Sequence, residues 1–238
     1  MLSIQNLTKC FGDKCAVDHL SLTLKEGEIC AFIGHNGAGK TTTLKSIVGL
    51  LPIEEGEIFI GGCSVKENAL ECKRMLAYIP DNPDLYDFLS GIQYLNFVAD
   101  VFDVSTQKRT ERIGELASRF ELSESLPKPI STYSHGMKQK LAIIAAFLHE
   151  PRLILMDEPF VGLDPKASFL LKEMMREHCA GGGTIFFSTH VLEVAEKLCD
   201  RVAIIQDGKL IVVGDMESVK GDASLEELFL RLEGERVD

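Results

Sequence analysis

The sequence lacks any apolar run close to the ~20 residues that span a bilayer; Leu141 to Leu148 is among its longest. It also lacks a basic segment leading into an apolar one at its start, so Met1 to Lys9 carries no secretory signal. Both absences predict a cytosolic chain that meets a membrane only through a partner. Basic charge is scarce as well. Lys and Arg number 25 against 36 Asp and Glu, a net charge of −11. A dense basic face for a phosphate backbone is not on offer, and no nucleic-acid partner is expected. The seven cysteines, at 10, 15, 30, 63, 72, 179 and 199, form no C-x-x-C pair and do not cluster as zinc ligands. They read as small hydrophobes, free thiols of a reducing compartment. There are no internal repeats and no low-complexity segments.

What is present is a globular composition. The chain has 238 residues, 45% apolar and 26% charged, enough for one large domain or two small ones. Alternating apolar positions at Leu2, Ile4 and Leu7 and at Leu20, Leu22 and Leu24 predict strands with one buried face, joined by a hairpin-like turn at Gly12-Asp13. Ile29 to Ile33 is continuously apolar, the pattern of a strand buried on both faces. A helix is predicted over 41–50 and short strands over 56–60 and 76–79. From 88 to 149 the periodicity is helical, in segments 88–102, 106–120 and 136–149, punctuated by Pro127, Pro129 and Ser131 to Ser134. Alternation then returns, with strands at 153–156, 184–188, 202–205 and 210–213, and helices at 165–179, 191–199 and 225–232. Such alternation implies a parallel sheet with helices on both faces.

Gly34-His35-Asn36-Gly37-Ala38-Gly39-Lys40-Thr41 fits G-x-x-x-x-G-K-[ST] in full, after a buried strand and before a helix. Glycines let backbone N–H groups turn toward phosphate oxygens, and the helix start adds the positive end of its dipole. Lys40 suits the β- and γ-phosphates of a nucleoside triphosphate, and the Thr41 hydroxyl suits Mg²⁺. The strand 153–156 ends in Asp157-Glu158. Asp157 is placed to hold Mg²⁺, and Glu158 to take a proton from an attacking water.

The remaining motifs carry a resemblance. Ser134-His135-Gly136-Met137-Lys138-Gln139, just before a helix, resembles the signature of ATP-binding cassette (ABC) ATPases, usually LSGGQ. Asp157-Glu158-Pro159 and Gly162-Leu163-Asp164-Pro165 resemble their Walker B and D-loop, and His190 in Ser188-Thr189-His190 their switch histidine. Phe11 sits where the family places an aromatic ring against adenine. Order and spacing agree over roughly residues 3 to 213. The run 133–141, Asp157 to Phe160 and the short tail look like the ATP-binding subunits of bacterial ABC-2-type, multidrug, bacteriocin and Ecs-like exporters.

That resemblance implies an α/β fold: a RecA-like P-loop core with an N-terminal antiparallel β subdomain and an inserted α-helical subdomain. It implies one ABC ATPase domain over 1–238. Residues 1–80 and 151–213 would form the core with its β subdomain, 81–150 the helical signature subdomain and 214–238 a short tail. ATP and Mg²⁺ are implied, with Glu158, His190 and Lys40 catalytic. The implied nucleotide-binding set is Phe11, the loop Gly34, His35, Asn36, Gly37, Ala38, Gly39, Lys40, Thr41 and Thr42, then Asp81, Ser134, Gly136, Asp157 and Asp164. Thr41, Asp157 and Asp81 are the implied metal set. Two cassettes, as a homodimer or heterodimer, would sandwich two ATP molecules, with Ser134 and Gly136 of one facing the γ-phosphate of the other and Asp164 touching the partner's phosphate loop. A transmembrane permease would dock on 81–102, keeping the chain peripheral on the inner face of the cell membrane.

Two departures stand out. His135 replaces the usual Gly of the signature, and Gln139 sits two places late. Asp81 follows Tyr78-Ile79-Pro80 where the family has Gln, so it serves either Mg²⁺ or the cap of its own turn. Phe11 likewise reads either as an adenine platform or as core packing. Six of the seventeen aromatics fall within 78–102, and Tyr86 or Phe88 is expected to be partly exposed for a partner. The rivals are a soluble ABC ATPase outside transport, a GTPase or small-molecule kinase, and a non-catalytic cassette. No Asn-Lys-x-Asp motif favours the second, and Lys40, Asp157, Glu158 and His190 together disfavour the third.

Overall fold

The computed structural model describes residues 1–221 and 223–234. In chain order its strands are β1 (Leu2–Phe11), β2 (Lys14–Leu24), β3 (Ile29–Ile33), β4 (Glu55–Ile60), β5 (Cys63–Ser64), β6 (Leu76–Ile79), β7 (Leu153–Asp157), β8 (Thr184–Thr189), β9 (Arg201–Gln206) and β10 (Lys209–Asp215). Its helices are α1 (Lys40–Ile47), α2 (Ala69–Met75), α3 (Gly91–Val101), α4 (Thr106–Arg119), α5 (His135–Leu148), α6 (Pro165–Ala180), α7 (Leu192–Leu198), α8 (Met216–Lys220) and α9 (Leu225–Gly234).

Two sheets result. β2-β1-β4-β5 is antiparallel, and β10-β9-β3-β8-β7-β6 is parallel except for the edge strand β10. The central strands β3, β7 and β8 are buried along their whole length because both faces are covered. Side chains alternate between two cores. Ile29, Ala31 and Ile33 of β3 join Ile154 and Met156 of β7 in a core shared with α3 to α6. Cys30, Phe32, Leu153 and Leu155 face the other way, toward α1 and the antiparallel sheet. The fold is the expected α/β class, with a RecA-like core, an antiparallel sheet at the start of the chain, and α3, α4 and α5 threaded between β6 and β7.

Local chemistry sets the element ends. α3 begins at Gly91 and not at Phe88, because Ser90 and Gln93 close a capping box. The Gln93 N–H donates to Ser90 Oγ at 3.3 Å, and the Ser90 N–H to Gln93 Oε1 at 2.9 Å. The short α2, α8 and β5 carry too little periodicity to be read from sequence. On α9, Leu225 is buried and Leu228, Phe229 and Leu232 are half-buried, the side predicted to be apolar. Residues 222 and 235–238 of the predicted tail lie outside the described residues. No helix among the described residues is long and apolar enough to cross a membrane.

The cysteine reading needs a correction. The β1–β2 register sets Cys10 opposite Cys15, and the two are joined in a disulfide. Sequence spacing hides that pairing until the hairpin register is fixed. Cys30, Cys63, Cys72, Cys179 and Cys199 are free thiols, and all but Cys63 are buried.

Candidate functional site

The loop after β3 leads into α1 through Gly39, whose φ of 113° is open to glycine and strained for other residues. A Cβ at Gly39 would also lie 2.3 Å from the Ala16 carbonyl oxygen. The loop therefore wraps tightly against β2. It lines a cleft of ≈ 200 Å³ together with Ala16, Thr42, Asp81, Asp157 and Glu158. Lys40 is buried and donates to the carbonyls of Gly34 (2.5 Å) and His35 (3.1 Å). Burial holds its ammonium pKa below the ordinary value, an effect that Glu158 and Asp157 partly oppose.

β3, β8 and β7 are parallel neighbours, so the residues at their C-terminal ends meet at one edge of the sheet. Asp157 ends β7 and is 2% exposed. Its carboxylate accepts from Thr41 Oγ1 at 2.6 Å and from Ser188 Oγ at 2.5 Å. Glu158 adopts a φ of 47°, unusual for a residue with a side chain. Its N–H donates to Ser188 Oγ at 3.0 Å. Its carboxylate lies 3.9 Å from Lys40 Nζ and 3.0 Å from His190 Nδ1. Lys40, Thr41, Asp157, Glu158 and His190 are thus one connected group.

Thr41 Oγ1 and Asp157 are adjacent hard oxygen donors beside a polar cleft. Mg²⁺ takes one or two protein oxygens and fills its shell with water and phosphate, so this donor set fits it. No group of three or more His, Cys, Asp or Glu residues suited to a metal is found among the described residues. Asp81 is exposed and also lines the cleft. Nearby, the Tyr78 hydroxyl is buried without a hydrogen-bond partner among the described residues, and burial, then Asp157 and Asp81, push its pKa up.

Ser134, Gly136 and Asp164 do not line this cleft. They gather at the starts of α5 and α6. Ser134 Oγ caps α5, accepting from the Met137 N–H at 3.3 Å. Asp164 caps α6, accepting from the Ala167 N–H at 2.8 Å, and pairs with Lys140 at 2.7 Å. Lys140 and then that N–H hold its pKa below the ordinary value. The His135 ring fills the space that a side chain at Gly162 would need, 2.5 Å from such a Cβ. Gly162 thereby accommodates the bulk of the unusual signature residue. Phe11, at the tip of the β1–β2 hairpin, is 54% exposed with Lys9 Nζ 5.3 Å from its ring centroid.

Ser188, Ala16 and Phe229 are not among the expected site residues. Ser188 could have been noticed as a hydroxyl inside an apolar strand. Phe229 could not, because its 5.0 Å approach to the His35 ring depends on how α9 packs.

The ABC transporter family model matches residues 17–161. The ABC-type transporter ATP-binding protein EcsA of Bacillus subtilis (strain 168) is 35% identical over 98% of this chain and 96% of its own length. A solved ATP-binding subunit of an ABC transporter superposes with a TM-score of 0.94 at 36% identity, covering 98% of this chain and 99% of that one. A dimeric ATP-binding cassette in a post-hydrolysis state, bound to ADP and Pi, shares the fold with a TM-score of 0.81 at 24% identity, over 91% of this chain and 99% of that one. With a phosphate loop, paired acids and a histidine meeting at one sheet edge, and relatives matching nearly end to end, the chain belongs to the ABC transporter family as an ATP-binding domain.

Proposed function

We propose that this chain hydrolyses ATP to ADP and phosphate to drive a membrane-embedded ABC exporter. The observation that carries the reading is the linked set Thr41–Asp157–Ser188–Glu158–His190, with Lys40 at its centre. On this reading the N–H groups of residues 36–41 and the α1 dipole receive the phosphates, and Lys40 turns from the Gly34 and His35 carbonyls toward them. Thr41 and Asp157 would hold Mg²⁺, with Asp81 facing the same cleft. Bound there, the cation would neutralise charge on the β- and γ-phosphate oxygens. Glu158 accepts the proton of the attacking water, and His190 orients its carboxylate and reaches the γ-phosphate. Phe11 stacks on adenine.

Ser134, Gly136 and Asp164 stand apart from the cleft, which suits service to a second cassette's ATP. Two copies, or this chain with a related one, would close head to tail on ATP and reopen after hydrolysis. That a cassette of the same fold was solved as a dimer bound to ADP and Pi supports a two-cassette assembly. The domain layout follows: residues 1–80 and 151–213 bind ATP, 81–150 present the signature and 214–238 form the tail.

A permease would dock on the helical insertion. A groove of ≈ 550 Å³ runs between Leu50, Leu70, Tyr78, Leu85, Tyr94 and Val101. Beside it Tyr86, Phe88 and Phe97 are exposed at 48%, 82% and 45%. The Tyr86 ring packs 5.7–5.8 Å from the rings of Phe88 and Phe97. Such a rigid aromatic patch suits a partner helix, and it would hold this cytoplasmic chain at the inner face of the membrane. Export, not import, is supported by the exporter-like runs at 133–141 and 157–160.

The test is phosphate release from ATP by the purified chain. Wild type is expected to turn over, and Lys40→Ala to lose both ATP affinity and turnover, roughly tenfold or more. Equal activity in the two would contradict the proposal.

A further inference from the structure

We propose that Ser188 is a positioning residue that locks the two acids of the site together; the inference rests on the roles proposed above for Asp157 and Glu158. Ser188 lies in β8, in the run Thr-Ile-Phe-Phe-Ser-Thr, and is fully buried. A doubly covered strand favours bulk and apolarity, as at Ile185, Phe186 and Phe187. A hydroxyl in such a place is costly unless its donor and acceptor capacities are both used. Here both are. The hydroxyl donates to Asp157 Oδ1 at 2.5 Å, and its oxygen accepts the Glu158 N–H at 3.0 Å.

The placement follows from strand register. β7 and β8 are parallel, and Asp157 pairs with Ser188 across the ladder, so both side chains stand on the same face. Asp157 receives its second hydroxyl from Thr41. Thr41 also belongs to the proposed cation site, whereas Ser188 does not line the cleft and has no other task there. Glu158 leaves the strand at a φ of 47°, a conformation that surroundings must hold in place. The Ser188 bond fixes the peptide at that turn, and with it the direction in which the Glu158 carboxylate reaches His190 and Lys40. One side chain therefore sets the distance between the acid that would hold the cation and the base that would take the proton. Ser188 acts through them and touches neither substrate nor metal.

The test uses the purified chain and four variants, Ser188→Ala, Ser188→Cys, Ser188→Thr and, as a control on the underlying reading, Glu158→Gln. Steady-state ATP hydrolysis gives kcat and KM, a fluorescent non-hydrolysable ATP analogue gives Kd, and melting gives stability. Losing a hydrogen bond to a charged group predicts a kcat about tenfold to a hundredfold lower in the alanine and cysteine variants. KM and Kd should stay within about threefold, because the loop that would hold the phosphates is untouched. Threonine keeps the hydroxyl and should restore most of kcat. If alanine does not fold, cysteine, nearly equal to serine in volume, decides. A wild-type kcat in the cysteine variant would overturn the proposal, as would a threonine variant as slow as alanine, or a Kd that weakens as much as kcat falls. If the wild type hydrolyses ATP and Glu158→Gln is inactive while Ser188→Ala matches the wild type, the Ser188 proposal alone is wrong. If the wild type hydrolyses no ATP, the underlying reading is overturned and the proposal with it.

Discussion

Glu158 Oε2 lies 3.0 Å from His190 Nδ1, across the ends of two neighbouring parallel strands. The two residues differ in freedom. The Glu158 side chain is 14% exposed, while that of His190 is 58% exposed. The carboxylate is thus fixed by its backbone turn, and the imidazole is the partner with room to move. In the proposed cycle His190 keeps this contact with Glu158 and uses its freedom to reach the γ-phosphate as well, while Glu158 stays where the attacking water needs it.

Phe11 tests the adenine platform. A ring more than half exposed contributes little to a core, so packing is the weaker explanation for it. Stacking on a base adds roughly 0.5–1.5 kcal/mol. Phe11→Ala is expected to raise the ATP dissociation constant several-fold with little change in Tm. Fluorescence titration and calorimetry on the same samples check this; a lower Tm with unchanged affinity would favour packing.

Asp81 tests the metal side of the cleft. An exposed carboxylate lining the phosphate cleft is a hard oxygen donor, a better one than an amide. Asp81→Asn is expected to leave ATP affinity intact and to shift the Mg²⁺ dependence of hydrolysis to higher concentration, by a few-fold. A superimposable Mg²⁺ titration would remove Asp81 from the site.

Stability should depend on pH through two half-buried histidines. His149 stacks on Phe102 with ring centroids 3.6 Å apart, and its Nε2 lies 3.3 Å from the Leu76 carbonyl oxygen. Burial first, and for both residues Arg112 as well, holds the pKa values of His149 and His178 below the ordinary 6.5. The unfolded chain therefore binds more protons than the folded one just below pH 6.5. The stabilisation is complete above 6.5 and lost as pH falls through the lower, folded values. Tm is expected to drop from pH 7.5 to 5.5, and to drop less in a His149→Gln, His178→Gln double variant. An equal drop in both proteins would assign the effect elsewhere.

Much of this molecule was legible in its sequence, and the reasons are physical. β3, β7 and β8 announce themselves because strands covered on both faces are built around short apolar runs. The phosphate loop is legible because its backbone geometry demands glycine at fixed spacing; Gly39 sits 2.3 Å, at its would-be Cβ, from the Ala16 carbonyl. Asp157 and Glu158 are legible from their place at the end of an apolar strand, and His190 only through the family resemblance. What stayed hidden depends on register and packing. Cys10 and Cys15 meet only once β1 and β2 pair, and Ser188 meets Asp157 only once β7 and β8 do. The tolerance for His135 is invisible too, because it resides in Gly162, a residue of another loop.

The central claim is that Glu158 is the base of an ATPase whose two copies close around ATP. The most direct measurement is size-exclusion chromatography of Glu158→Gln with Mg-ATP, paired with phosphate release from the same preparation. The account predicts retained ATP binding, turnover lower by roughly 10²–10⁴ and a stable dimer peak that the wild type does not hold. A Glu158→Gln chain that hydrolyses ATP at the wild-type rate and elutes as a monomer would contradict it.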